Sequence, residues 1–280
     1  MKYGVNTFIW SEEFSEASLA LLPRIKAAGF DGVQVPLFRP SQFPAAAVRK
    51  GFEENELECS FCALFVDGQS LIGENAAQRA VAKQHIQDTI RVAADAGANF
   101  IGGPLYCPVG YLPGRRRTND EWKWAIEGYQ SAGATLASYG ITLGIEPINR
   151  FETFFLNTAA DAKALCDAVN DPNIGILFDT FHANIEEKNI GDAFRLMGKH
   201  LRHIHSCEND RGIPGSGHFA WDEMFQALRE MNYDGWLTIE SFGFVGQLSA
   251  AVCIWRDIER DPESIAFEGV QFLKSKGASY

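Results

Sequence analysis

Four consecutive apolar segments each end in a side chain able to ligate a metal, and this pattern constrains the chain more than any other. Residues 141–145 lead into Glu146, 174–178 into Asp179, 201–204 into His205 and 235–239 into Glu240. These positions are 33, 26 and 35 residues apart. A strand with its crossover helix needs about 30 residues or more, so each segment reads as one strand of a parallel sheet. A carboxylate at the end of a buried strand is expensive unless it is paired, hydrogen-bonded or metal-bound. Pro147 follows Glu146 directly. Proline cannot donate into a sheet ladder, so that strand stops there.

The first half of the chain shows the same alternation. Strands are expected at 3–10, 32–36, 57–64 and 99–103, with helices at 15–28, 44–55 and 76–96. Further helices are expected at 120–139, 159–169, 190–200, 221–231 and 250–276, the last interrupted by Pro262. Eight strands alternating with about eight helices predict an α/β fold, a (β/α)8 TIM barrel forming a single domain over residues 1–280. A doubly wound sheet would place a glycine-rich phosphate turn after the first strand. Thr7-Phe-Ile-Trp10 is too bulky for that turn.

Composition removes several function classes. A net charge of −11 argues against nucleic-acid binding, which favours a basic surface. The six cysteines are scattered, which is not a disulfide framework. Cys59-x-x-Cys62 lies in an expected strand and reads as small core residues. No segment has the roughly 18 apolar residues of a membrane span, and the first residues read as a strand rather than a leader. A cytoplasmic enzyme with no membrane partner is expected.

In a barrel of this kind, sites form at the C-terminal ends of the strands. Neighbouring strands lie about 4.8 Å apart, so Glu146, Asp179, His205 and Glu240 can converge on one ion. Three carboxylates and one imidazole form a hard donor set suited to Mn²⁺ or Mg²⁺. His203, two residues before His205, points to the same side one layer deeper, as an interior hydrogen-bonded histidine.

Glu146-Pro-Ile-Asn-Arg-Phe-Glu152, Phe178-Asp-Thr-Phe-His-Ala-Asn-Ile-Glu-Glu187, His203-Ile-His-Ser-Cys-Glu-Asn-Asp-Arg211 and Ile239-Glu-Ser-Phe242 resemble the D-tagatose 3-epimerase / D-psicose (allulose) 3-epimerase family, within the xylose-isomerase-like barrels. The resemblance implies that Glu146, Asp179, His205 and Glu240 hold the divalent metal, Mn²⁺ first, with Mg²⁺ or Co²⁺ as alternatives. It implies that Glu146 and Glu240 are also the catalytic acid/base pair. Glu152, His182 and Arg211 would hold the O1/O2 end of a ketose such as D-tagatose, D-psicose, D-fructose or L-ribulose. A homodimer or homotetramer is implied as well.

Two segments depart from the family pattern. Asn6 and Thr7 are small and polar where the family carries aromatic residues, and residues 102–107 are also unlike it. With Trp10 and Phe244, these regions are expected to face C4 to C6 of the sugar. Arg115-Arg-Arg117 leaves open a sugar-phosphate epimerase. An aldose–ketose or hydroxypyruvate-type isomerase would use the same enediol chemistry between C1 and C2. An endonuclease-like phosphodiesterase should show more histidines and a basic groove, and a non-catalytic sugar-binding protein would not need the paired glutamates.

Overall fold

The computed structural model describes residues 1–243 and 248–279. Its eight strands are β1 (Lys2–Asn6), β2 (Gly32–Pro36), β3 (Glu58–Cys62), β4 (Phe100–Gly103), β5 (Thr142–Ile145), β6 (Ile174–Asp179), β7 (Leu201–His205) and β8 (Trp236–Ile239). They pair in parallel in sequence order, and β8 closes on β1 through Val5 opposite Ile239. The α-helices are α1 (Leu22–Ala27), α2 (Ala45–Glu54), α3 (Ala76–Asp95), α4 (Asn119–Gln130), α5 (Gly133–Tyr139), α6 (Ala159–Val169), α7 (Thr180–Glu186), α8 (Ile190–Met197), α9 (Trp221–Glu230), α10 (Leu248–Ala251) and α11 (Pro262–Ser279). The expected TIM barrel is the architecture found.

The strands are short and buried because helices cover the outside and side chains fill the inside. β6 is buried at every position, as a strand with two covered faces must be. Inside, the His203 ring stacks on Phe100 at 4.4 Å and faces Trp236 at 6.2 Å. Its Nε2 lies 2.7 Å from Thr238 Oγ1. Burial, then the neighbouring His205, pushes His203 well below its ordinary pKa. It is therefore a neutral interior histidine. At Gly103, φ is +141° and an added Cβ would collide with the Ala63 carbonyl oxygen, so only glycine fits that close approach.

Three expected elements differ. The first strand ends at Asn6, not Trp10, because the Asn6 side chain accepts from the Phe8 N–H and caps a 3₁₀ turn over Thr7–Ile9. The expected helix over 120–139 breaks into α4 and α5. The expected helix over 15–28 begins as 3₁₀ (Glu16–Leu21) before α1. The start of α4 is set by a capping box: Thr118 Oγ1 accepts from the Glu121 N–H, and Glu121 Oε2 accepts from the Thr118 N–H.

Register brings the strand ends level. A one-residue irregularity at Ile176/Leu177 lets Asp179 pair with His205. Glu146 and Glu240 each stand one residue past their strands, at the same rim. No helix among the described residues is long and apolar enough to cross a membrane.

Candidate active site

Glu146, Asp179, His205 and Glu240 meet at the C-terminal mouth of the barrel. One ligand atom from each lies within 4.8 Å of all the others, and all four residues are buried. His205 Nδ1 is 3.3 Å from Glu240 Oε2, 3.5 Å from Glu146 Oε1 and 3.8 Å from Asp179 Oδ2. These distances exceed a normal N–H···O bond. They suit donors arranged around one ion, which at about 2.1 Å from a divalent metal sit roughly 3.0–3.5 Å apart. Nδ1 is also a buried nitrogen with no hydrogen-bond partner. The residues therefore fit a hard divalent cation.

Gln34, in the middle of β2, completes the histidine's environment. Its Oε1 is 2.7 Å from His205 Nε2 and accepts at 2.8 Å from Asn6 Nδ2. A carbonyl oxygen only accepts, so Nε2 carries the proton and Nδ1 faces the carboxylates. Asn6 Nδ2 also reaches Glu240 Oε1 at 3.3 Å. One polar chain thus ties β1, β2, β7 and β8 at the site.

Arg211 supplies the positive charge. Its Nη1 donates to Asp179 Oδ2 at 2.6 Å and to Glu240 Oε2 at 3.1 Å. The guanidinium lies over the rings of Phe181 and Phe242, 4.3 and 5.2 Å from their centroids. Its backbone is left-handed, with φ +68°, and its carbonyl accepts from Ser241 Oγ. The loop carrying it is gathered by Glu208, fully buried, whose carboxylate accepts from the Gly215 and Phe219 N–H groups and from Trp221 Nε1.

The charges shape the proton affinities. Burial raises Glu146, and the charge on Glu240 adds to this against the opposing pull of His205. Burial alone would raise Asp179, but Arg211, with His182 and His205, holds it well below the usual carboxylate range. Burial would lower His205, but Glu240, Asp179 and Glu146 outweigh it and hold the imidazole well above its ordinary value.

Glu152, His182 and Arg211 are also brought together. Asn149 Nδ2 is 2.7 Å from Glu152 Oε1 and 2.9 Å from His182 Nδ1, and His182 Nε2 is 3.4 Å from Arg211 Nη2. The Glu186-Glu187 pair ending that motif is structural. Glu186 holds Arg150 through a two-pronged ion pair, and Glu187 accepts from the Ala159 N–H at the start of α6.

This chain belongs to the xylose isomerase-like TIM barrels, whose family model matches residues 22–276. Within that group it is 36% identical over 277 residues to a probable ketose 3-epimerase of Synechocystis sp., covering 98% of this chain and 96% of that one.

It is a member of the ketose 3-epimerase family.

A second member, the D-psicose 3-epimerase of Agrobacterium fabrum, is 32% identical over 92% of this chain and 91% of its own length. Among solved ketose 3-epimerases, D-allulose 3-epimerase of Methylomonas sp. in complex with D-allulose superposes with a TM-score of 0.93 at 27% identity, covering 99% of this chain and 97% of the other. The activity is accordingly that of a ketose 3-epimerase, with a buried Glu/Asp/His/Glu metal-binding group.

The remaining candidate residues have the following surroundings. Trp10 turns outward: its Nε1 donates to Glu263 Oε1 at 3.1 Å and its ring packs on Phe267 of α11. It does not join the cluster, because the chain turns at Asn6 instead of continuing as strand. Asn6 is fully buried and bonds Gln34 and Glu240 at the site. Phe244 lies outside the described residues. Arg115 forms a bidentate pair with Glu121, and Arg117 bonds Asp161 and the Phe155 carbonyl. Both are loop struts. Gln34 lies outside the family motifs, and Glu208 lies within one with no role implied for it. The signal for Gln34 was a polar side chain inside the apolar run Gly32-Val-Gln-Val-Pro36.

Proposed function

We propose that Glu146 and Glu240 carry out proton transfer at C3 of a free ketose, one from each face. The observation that carries this is their placement: they rise from β5 and β8, three strands apart, yet both reach within 3.5 Å of the same His205 nitrogen. A ligand lying between them would meet a carboxylate on either side. The C3 proton is acidic because it neighbours the C2 carbonyl. One glutamate removes it, leaving a planar enediolate, and the other returns a proton to the opposite face. Glu152, His182 and Arg211 hold and orient the O1/O2 end.

Glu146, Asp179, His205 and Glu240 would hold the metal, with Mn²⁺ preferred over Mg²⁺ or Co²⁺ for this mixed carboxylate and imidazole set. When bound, the ion would polarise the C2 carbonyl and offset charge developing on O2. The relatives point to D-psicose, L-ribulose and D-fructose as substrates to try, with D-tagatose beside them. Exposed Phe151, Tyr111 and Leu112, on loops joined by the Gly110 N–H to the Glu152 carbonyl, support a homodimer or homotetramer. Six free cysteines accord with the cytoplasm.

Incubating Mn²⁺-loaded protein in D₂O with each of the four ketoses tests the reaction. Deuterium at C3, with the C3 epimer accumulating, is expected. Label at C1 or C2 instead would establish an isomerase.

A further inference from the structure

We infer that Asn149 is a positioning residue that sets the tautomer of His182, so that His182 Nε2–H and an Arg211 N–H are presented together to one substrate oxygen. Each step follows from groups whose roles are fixed. The Asn149 backbone N–H points at His182 Nδ1 at 3.2 Å. A backbone N–H only donates, so Nδ1 is the acceptor and the ring proton of the neutral imidazole sits on Nε2. The Asn149 amide is oriented just as firmly. Its Oδ1 accepts from the Phe151 N–H at 2.9 Å, so its NH₂ faces Glu152 and His182. The side chain thus repeats what the backbone does, with a second donor 2.9 Å from the same Nδ1.

The consequence lies on the other side of the ring. His182 Nε2 is 3.4 Å from Arg211 Nη2. With the proton on Nε2, both are donors and they cannot bond each other. Among the described residues no other partner meets Nη2. Two donors this close, at a site lined by carboxylates, are unfavourable unless an acceptor lies between or beside them. The ligand chemistry that fits is an oxygen able to accept twice, such as a ketose carbonyl oxygen or the enediolate oxygen it becomes. Asn149 Nδ2 also donates to Glu152 Oε1, so the same amide orients that carboxylate. The relevance of this to catalysis rests on the ketose-binding role proposed above. The tautomer itself does not.

Asn149→Asp reverses the arrangement. A carboxylate opposite Nδ1 needs a proton there, and the charge of Arg211 disfavours a second one on Nε2. Nε2 then accepts directly from Arg211 Nη2, and the two groups consume each other.

The test is ¹⁵N NMR of histidine-labelled, Mg²⁺-loaded protein at pH 8 without sugar, the His182 signals being assigned by their loss in His182→Asn. The wild type should show a neutral ring protonated on Nε2 alone. Asn149→Asp should place a proton on Nδ1 and lower kcat/KM by about 100-fold for the ketose that exchanges best. Asn149→Ala, which keeps the backbone donor, should retain the Nε2–H form and lose about 10-fold. A wild-type ring protonated on Nδ1, or an even mixture, would overturn the inference even if every variant failed to fold. So would an Asn149→Asp ring unchanged from wild type. If the tautomer is as stated but no ketose exchanges at C3, the role of Asn149 stands and the epimerase mechanism falls.

Discussion

Glu240→Gln is expected to lower epimerisation by about 1,000-fold in both directions, within the range that a positioned acid or base contributes. The amide keeps the size of the carboxylate and one oxygen toward the metal, but it cannot accept the C3 proton. In the proposed mechanism each direction of the reaction uses Glu240 once, as base or as acid, so neither direction escapes. The two ketose epimers should nevertheless behave differently in D₂O. The epimer whose C3 proton faces Glu146 can still be deprotonated and reprotonated on that same face. It should exchange hydrogen for deuterium at C3 without inverting. Its partner should do neither. Glu146→Gln should swap the two epimers. Mn²⁺ binding by each variant, measured by calorimetry, separates lost chemistry from lost metal. Equal loss of exchange for both epimers with metal still bound would contradict the two-base arrangement.

The largest effect on stability is expected from Arg211→Met. Arg211 is buried and is the cation facing Asp179 and Glu240 at 2.6 and 3.1 Å. Removing one partner of a buried ion pair leaves the other charge uncompensated, typically at a cost of about 3–5 kcal/mol. For a chain of this size that corresponds to a fall of about 10 °C in Tm. The loss should be largest in metal-free protein. Saturating Mn²⁺ should recover most of it, because the ion would neutralise the same carboxylates. Acid dependence follows from the same pair. Asp179 is held well below its usual range, so its contribution is present above the unfolded carboxylate pKa of about 4 and is lost as pH falls below that. Metal-free Arg211→Met should lose less stability than wild type on going from pH 6 to pH 3. Equal destabilisation with and without Mn²⁺ would show that Arg211 acts through packing alone.

The strand-end ligands were legible because each stands where an apolar run stops, and the run itself sets both the strand and its buried end. A barrel then leaves only one rim for all four. What followed the strands was not legible in the same way. Trp10 lies four residues past Asn6, and its direction depends on a side-chain cap that ends the strand early. Its partner, Glu263, is 253 residues away. Arg115 and Arg117 look like a basic cluster in sequence, yet Glu121 and Asp161 claim them in space. Asn149 lies inside a family motif with no role implied for it, because its side chain faces two others at once, one of them 33 residues away. Side chains committed by local chain pattern could be placed. Those committed by long-range hydrogen bonds could not.

The most direct test of the account is to titrate metal-free protein with Mn²⁺ in D₂O while following deuterium at C3 of the best ketose. In the proposed mechanism the four strand ends form one site in which the metal ligands include both bases. C3 exchange should therefore start near zero, rise linearly, and level off at one Mn²⁺ per chain. Exchange at full rate before any metal is added, or a rise that continues past one equivalent, would contradict the single shared site.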